Sequence, residues 1–288
     1  MRYVVGYTPN ERGSDAVALA LAMARAQSVR LDLVYVLDSG ALLGARNPGA
    51  GPVSAQERAV AMAQRQGLSL VPDDVSVEFH VRNAPSFAAG LIDAARGAGM
   101  IVVGAANNGP LLRHTVGSVA NALLHASPVP VALAPAGYRP RGAVSRLTLA
   151  VGQREGADAA IDTALDFAVR RGLPLRLVSL VELDARGDSG EVVNAAHIHA
   201  NTVLTEASLR LPQGHNVTVE VAHGRSIEEC IDDLEWDDRE ILIVGSSRLA
   251  EKSKLFIGST AHKVLRALPV PMVVIPRDYQ RPGTATVA

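Results

Sequence analysis

Residues 114–135 read HTVGSVANALLHASPVPVALAP, and residues 255–276 read LFIGSTAHKVLRALPVPMVVIP. The two phrases have one length and carry Gly-Ser and Pro-Val-Pro at matching places. Each predicts a helix opened by Gly-Ser, a proline-bracketed turn, and a short apolar strand. A phrase of this length written twice points to a duplicated folding unit.

The rest of the chain follows the same period. The opening RYVVGYTPNERGSDAVALALAMARAQSVRLDLVYVLD returns about 144 residues later as LTLAVGQREGADAAIDTALDFAVRRGLPLRLVSLVELD. Each copy reads as apolar strand, Gly-containing turn, Ala-rich helix and second apolar strand. The middles MIVVGAANNG and ILIVGSSRLA also correspond. Two domains are therefore expected, 1–138 and 144–278, joined near AGYRPRGAVSR and followed by a flexible tail at 279–288.

Strands are predicted near 2–7, 31–37, 75–81, 100–104 and 129–134, and in the second copy near 146–151, 174–181, 216–222, 240–245 and 270–275. Helices fall near 14–27, 54–67, 85–96 and 117–126, then 157–171, 190–210, 226–236 and 259–267. Alternation of strand and helix implies parallel strands with right-handed crossovers. The fold class is thus α/β, two tandem doubly wound five-stranded parallel sheets. Ligands of such sheets bind at the carboxyl ends of the strands, where the strand order reverses.

Composition agrees. Hydrophobic residues are 48% of the 288 and aromatics only 3%, so the interior is built from Ala, Val, Leu and Ile. A net charge of −1 argues against nucleic acid and anionic membrane surfaces as partners. Cys230 is the only cysteine, which excludes an intrachain disulfide and a Cys-rich metal site. No run approaches the ~20 apolar residues of a membrane helix, and MRYVVGYTPN does not read as a signal peptide. A soluble cytoplasmic protein is the expectation.

After the fourth strand of each copy stands a Gly, then a loop, then Gly-Ser at a helix start: Gly104 with Gly117-Ser118, and Gly245 with Gly258-Ser259. A helix N-terminus offers unpaired N–H groups to an anion, and a Gly there lets the anion come close. Ser118 and Ser259 serve equally as plain N-caps without any ligand.

In these residues the chain resembles a tandem member of the universal stress protein family, over nearly its whole length. That family carries a phosphate loop of G-x-x-G, nine residues, then G-[S/T], and a PVPV phrase before the last strand. The resemblance implies a Rossmann-like fold of the adenine nucleotide alpha hydrolase type. It also implies ATP or another adenine nucleotide, with Mg²⁺, at Thr8, Gly104, Asn107, Gly117 and Ser118 in the first copy. In the second copy the corresponding positions are Gly152, Gly245, Arg248, Gly258, Ser259 and Thr260. The family also contains members that bind no nucleotide. In the family the last strands commonly pair across a two-fold, so an internal pseudo-dimer is expected, with a further homodimer left open. Apolar edges that would otherwise stay wet support it.

Two departures bear on the ligand. Asn107 and Arg248 replace the second Gly of the pattern, and Asn accommodates a left-handed backbone better than Arg. In ATP-binding members the first strand ends in an Asp that contacts the adenosine. Thr8 and Gly152 stand there instead, and neither is a carboxylate acceptor. The loss costs about 1–3 kcal/mol, ten- to a hundredfold in affinity. Lys252 and Lys254 favour the second loop by charge, and backbone shape favours the first.

GxxxxGK[ST], GxGxxG after a strand, and GxSxG are all absent. His197 and His199 sit two apart on a helix and do not share a metal. Cys230 is expected half-buried, and DDLEWDDRE to end a solvated helix with Trp236 packed at its end. His114 and Arg113 stand before Gly117, and the stretch 38–57 follows the second strand as a lid or a disordered loop. Three functions follow in order: a stress-response module whose nucleotide occupancy tunes contacts with a protein partner, a non-binding interaction protein of the same fold, and a slow ATPase.

Overall fold

A computed structural model describes residues 1–25, 29–38, 52–105, 117–151, 158–182, 189–246, 259–277 and 279. The first half runs β1 (Arg2–Gly6), α1 (Glu11–Ala24), β2 (Arg30–Asp38), α2 (Pro52–Ser69), β3 (Val77–Ala84), α3 (Phe87–Ala94), β4 (Met100–Gly104), α4 (Ser118–Ala126) and β5 (Val131–Ala134). The second runs β6 (Arg146–Ala150), α5 (Asp158–Arg171), β7 (Leu175–Glu182), α6 (Ser189–Arg210), β8 (Val217–Gly224), α7 (Ile227–Asp232), β9 (Glu240–Gly245), α8 (Ser259–Ala267) and β10 (Met272–Ile275).

The strands form one ten-stranded sheet in the order β3-β2-β1-β4-β5-β10-β9-β6-β7-β8. Within each half every pairing is parallel, and the order reverses beside β1 and beside β6. At the centre β5 and β10 pair antiparallel, with Leu133 opposite Met272, Ala132 opposite Val273 and Val131 opposite Val274. The expected pseudo-dimer is therefore a shared sheet. Ala132 and Val273 join one core with α1, α2, α5 and α6, while Leu133 and Met272 join the other with α3, α4, α7 and α8. Both cores run through the joint without a break.

Helix starts follow local chemistry. Asn10 caps α1 by accepting from the Gly13 N–H at 3.2 Å, and Ser86 caps α3 through the Ala89 N–H at 3.1 Å. Ser226 does the same for α7 at Glu229, 3.2 Å. The helix expected over 226–236 stops at Asp232. Asp232, Asp233 and Glu235 crowd its negative end, and the Trp236 Nε1–H donates to the Ile231 carbonyl at 2.9 Å, closing the turn. Cys230, expected half-buried, is wholly buried and its thiol points at the Val181 carbonyl, 3.4 Å away. Burial pushes that thiol up, so it is inert.

Further contacts cross between halves. The Arg171 Nη2–H donates to the Met23 carbonyl at 2.6 Å, tying α5 to the end of α1. Tyr279, placed by the sequence at the start of a tail, donates its hydroxyl to the Gly99 carbonyl at 3.1 Å. Residues 280–288 lie outside the described residues. On the other face the His125 and His262 rings approach to 6.3 Å across the joint.

The amino ends of the strands carry ion networks. In the first half Arg2 and Arg30 meet Asp32 at 2.6 and 3.0 Å, and Arg30 meets Glu78 at 2.6 Å. In the second half the buried Glu240 accepts from Arg176 at 2.9 Å, from Arg146 at 2.6 Å and from the Thr148 hydroxyl. The Arg176 guanidinium also lies 4.9 Å over the Trp236 ring.

Removing one partner of a buried pair strands the other charge. Glu240→Ala is expected to cost about 3–5 kcal/mol in urea unfolding, whereas Asp93→Ala in the exposed pair with Arg96 leaves the midpoint unchanged.

Burial, then His125 and Arg266, lower the pKa of His262, so the folded state holds it neutral. The unfolded chain binds the extra proton, and stability is lost as pH falls below about 6.5. The melting temperature of His262→Gln should therefore drop less between neutral and mildly acidic pH than that of the parent chain.

Candidate functional site

The split between β1 and β4 opens a crevice of about 290 Å³ at the carboxyl ends of the strands. Gly6 and Thr8 line it from the end of β1, Val103 and Gly104 from β4, Asn10, Arg12 and Gly13 from the start of α1, Phe87 from α3, and Gly117 to Ala120 from α4. Of the residues singled out in the sequence, Thr8, Gly104, Gly117 and Ser118 are brought together here.

Backbone approach shapes the crevice. The first turn of α1 lies across the strand ends so tightly that a Cβ on Gly13 would stand 1.9 Å from the Thr8 carbonyl oxygen. A Cβ on Gly104 would stand 2.3 Å from the Arg12 carbonyl oxygen. Only glycine admits either contact. The turn is fixed further by the Asn10 N–H donating to the Thr8 carbonyl at 2.8 Å and the Thr8 hydroxyl donating to Asn10 Oδ1 at 2.8 Å.

Across the crevice α4 begins without a side-chain cap. Its N-cap is Gly117, in extended backbone, and Ser118 is the first helical residue. Ser118 is therefore not the cap that its position suggested. The first helical bond is Asn121 N–H to the Gly117 carbonyl at 2.9 Å, so the amides of Gly117 to Ala120 have no intrahelical acceptor. These donors, with the positive end of the helix, suit an anion.

The polar residues of the described lining are Thr8, Asn10, Arg12 and Ser118, and no carboxylate is among them. Sequence reasoning missed Asn10, Arg12, Gly13 and Phe87. The signal was present in TPNERG, where Asn followed three residues later by Gly marks a capped and crowded helix start.

The second half repeats the framework. The Val151 N–H donates to the Val178 carbonyl as Tyr7 does to Val34, which sets Gly152 equivalent to Thr8. Ser246 to Ile275 likewise matches Ala105 to Ala134, both at 2.8 Å. Among the described residues a Cβ on Gly245 would meet only Ala160, at an ordinary 3.5 Å, and residues 152–157, which match Thr8 to Gly13 in sequence, lie outside them. Ser259 and Thr260 open α8. Asn107, Gly152, Arg248 and Gly258 lie outside the described residues, as do Arg113, His114, Lys252, Lys254 and most of the 38–57 stretch.

Two other features lie at the opposite ends of the strands. A wider hollow of about 810 Å³ is lined by Arg2, Arg25 and Arg30, of which Arg2 and Arg30 are already held by Asp32 and Glu78. Asp32, Glu78 and His80 stand close enough to share a cation, the one such group among the described residues. The same two arginines balance its charge.

Two tandem doubly wound halves joined in one sheet, with an uncapped helix start at a switch point, define the class as a tandem α/β protein. More particularly, the chain belongs to the universal stress protein family, whose model matches residues 1–135 and again 144–276. It is 28% identical over 296 residues to universal stress protein Rv2319c of Mycobacterium tuberculosis, covering 96% of this chain and 100% of the relative. The figures are the same for universal stress protein Mb2346c of Mycobacterium bovis. Among solved structures, a universal stress protein from Archaeoglobus fulgidus superposes with a TM-score of 0.67 at 16% identity, covering 96% of this chain and 98% of that one. The functionally unknown protein PA1789 of Pseudomonas aeruginosa gives 0.61 at 17% identity, with 96% and 92% covered. These two share its fold.

Because the Gly13 and Gly104 contacts are with backbone, Gly13→Ala and Gly104→Ala are each expected to lose about 1–3 kcal/mol in chemical unfolding. Gly190→Ala on α6, with nothing within 4 Å, should cost nothing.

Proposed function

We propose that this protein is a cytoplasmic stress-response module that holds a nucleoside phosphate, ATP or another adenine nucleotide, in the first crevice. Occupancy of that crevice tunes contacts with a protein partner. The observation that carries this reading is the uncapped start of α4 at Gly117-Ser118, facing a cavity at the switch point whose described lining holds no carboxylate. The phosphates would sit on the amides of Gly117 to Ala120, with the Ser118 hydroxyl as a further donor. The first crevice is chosen for its walls, which carry the close backbone contacts at Gly13 and Gly104.

A second reading, an interaction protein that binds no nucleotide, draws on Thr8. Its hydroxyl proton is committed to Asn10, and no carboxylate is at hand to read a base or ribose. Among the described residues of the first-crevice lining, none is a carboxylate, histidine or cysteine that could serve as a general base, which ranks a slow ATPase last.

Ligand binding to the folded state alone raises stability by RT ln(1 + [L]/Kd). ATP at tenfold excess over Kd should raise the melting temperature by roughly 2–4 °C, from about 1.4 kcal/mol. Ser118→Glu places a carboxylate at the helix start, where it suits the fold but competes with phosphate. It should keep the melting temperature and abolish the shift. A parent chain that shows no shift with ATP or ADP would favour the interaction protein.

A further inference from the structure

We propose that Arg12 is the counter-cation for phosphate in the first crevice, and that this crevice takes its nucleoside phosphate without a divalent metal. The inference rests on the nucleotide reading above and concerns what neutralises the ligand.

Protein-bound Mg²⁺ is typically held by one or two carboxylates together with phosphate oxygens and water. Among the described residues the crevice offers no carboxylate: its polar residues are Thr8, Asn10, Arg12 and Ser118. The two nearest acids on α1 are occupied elsewhere. Asp15 is buried and accepts from the Gly137 N–H at 3.0 Å and from Arg139 at 2.6 Å. Glu11 is exposed and does not line the cavity. The loop sequence adds nothing acidic. Residues 105–116 read AANNGPLLRHTV and residues 39–51 read SGALLGARNPGAG, with no Asp or Glu in either.

The donor side is complete. Asn10 Oδ1 already accepts from the Thr8 hydroxyl and the Gly13 N–H, which leaves the Asn10 Nδ2 group as a donor. Arg12 makes no ion pair or hydrogen bond through its side chain among the described residues, in contrast to Arg2, Arg30, Arg139, Arg146 and Arg176. Its backbone is fixed above Gly104, so the guanidinium departs from a defined point at the rim of the crevice. Guanidinium presents paired N–H donors that match two phosphate oxygens at once. The described lining therefore has a cation and donors but no carboxylate to hold a metal, which complements a bare phosphate. A metal already on the phosphates would compete with Arg12 for the same oxygens.

Titration calorimetry on the full chain tests this, with ATP in excess EDTA and in excess magnesium chloride, for the parent, Arg12→Gln and Arg12→Lys. ATP should bind the parent at least as tightly in EDTA, and magnesium should weaken it severalfold. Arg12→Gln should lower affinity in EDTA about tenfold, the scale of one charge-assisted hydrogen bond, and erase the magnesium effect. Arg12→Lys should retain part of both. Because Arg12 is exposed, the variants should melt with the parent. Binding that requires or is tightened by magnesium, or Arg12→Gln binding like the parent in EDTA, overturns the role of Arg12 alone. No ATP binding by the parent under either condition overturns the nucleotide reading together with it.

Discussion

The antiparallel pairing of β5 with β10 is the contact on which the rest of the architecture depends. Each strand is short, apolar and buried on both faces, and each would be a bare edge if its half stood alone. Their backbone groups satisfy one another, and their side chains divide evenly between two cores that pass through the joint. Because these pairs are in contact on both faces, neither half can lose its last strand without opening the other. The contacts from Arg171 to Met23 and from Tyr279 to Gly99 reinforce the same joint from its edges.

With the sheet joined in this way, its two ends take different work. The amino ends of the strands hold balanced charge: Asp32 between two arginines in one half, Glu240 among Arg146, Arg176 and Thr148 in the other. The carboxyl ends hold unbalanced donors, because α1 and α4 both point their N-termini at the gap between β1 and β4. Balanced charge thus lies at one end and open donors at the other, the end where doubly wound sheets place their ligands.

The fold was legible because its signals are local and duplicated. Apolar strands alternating with Ala-rich helices give parallel order, and the apolar Pro-Val-Pro strands give the paired edges. Glycines at 104 and 117 marked the crevice for the same reason. What sequence could not give was the direction in which ordinary residues face. Arg12 in a first helical turn looks solvated until the turn is laid over Gly104, a contact set by backbone packing alone. Cys230 lay in an acidic helix and looked half-exposed, yet the β7 carbonyl of Val181 takes its thiol. The end of α7 depended on a side-chain bond from Trp236 back to the Ile231 carbonyl, which helix propensity does not encode.

The halves share a register, and their loop sequences differ in charge. In the first, two glycines press the helix start against two strand ends and leave no room for a side chain. In the second, the loop sequences mix Glu155 and Glu251 with Lys252 and Lys254. A crevice walled by backbone has fixed donors and little freedom to recruit an acceptor. Charge therefore decides its occupant, and the charge there is positive. Duplication kept the scaffold constant while the two crevices diverged in electrostatics, which is why one family motif, read twice, does not imply one ligand bound twice.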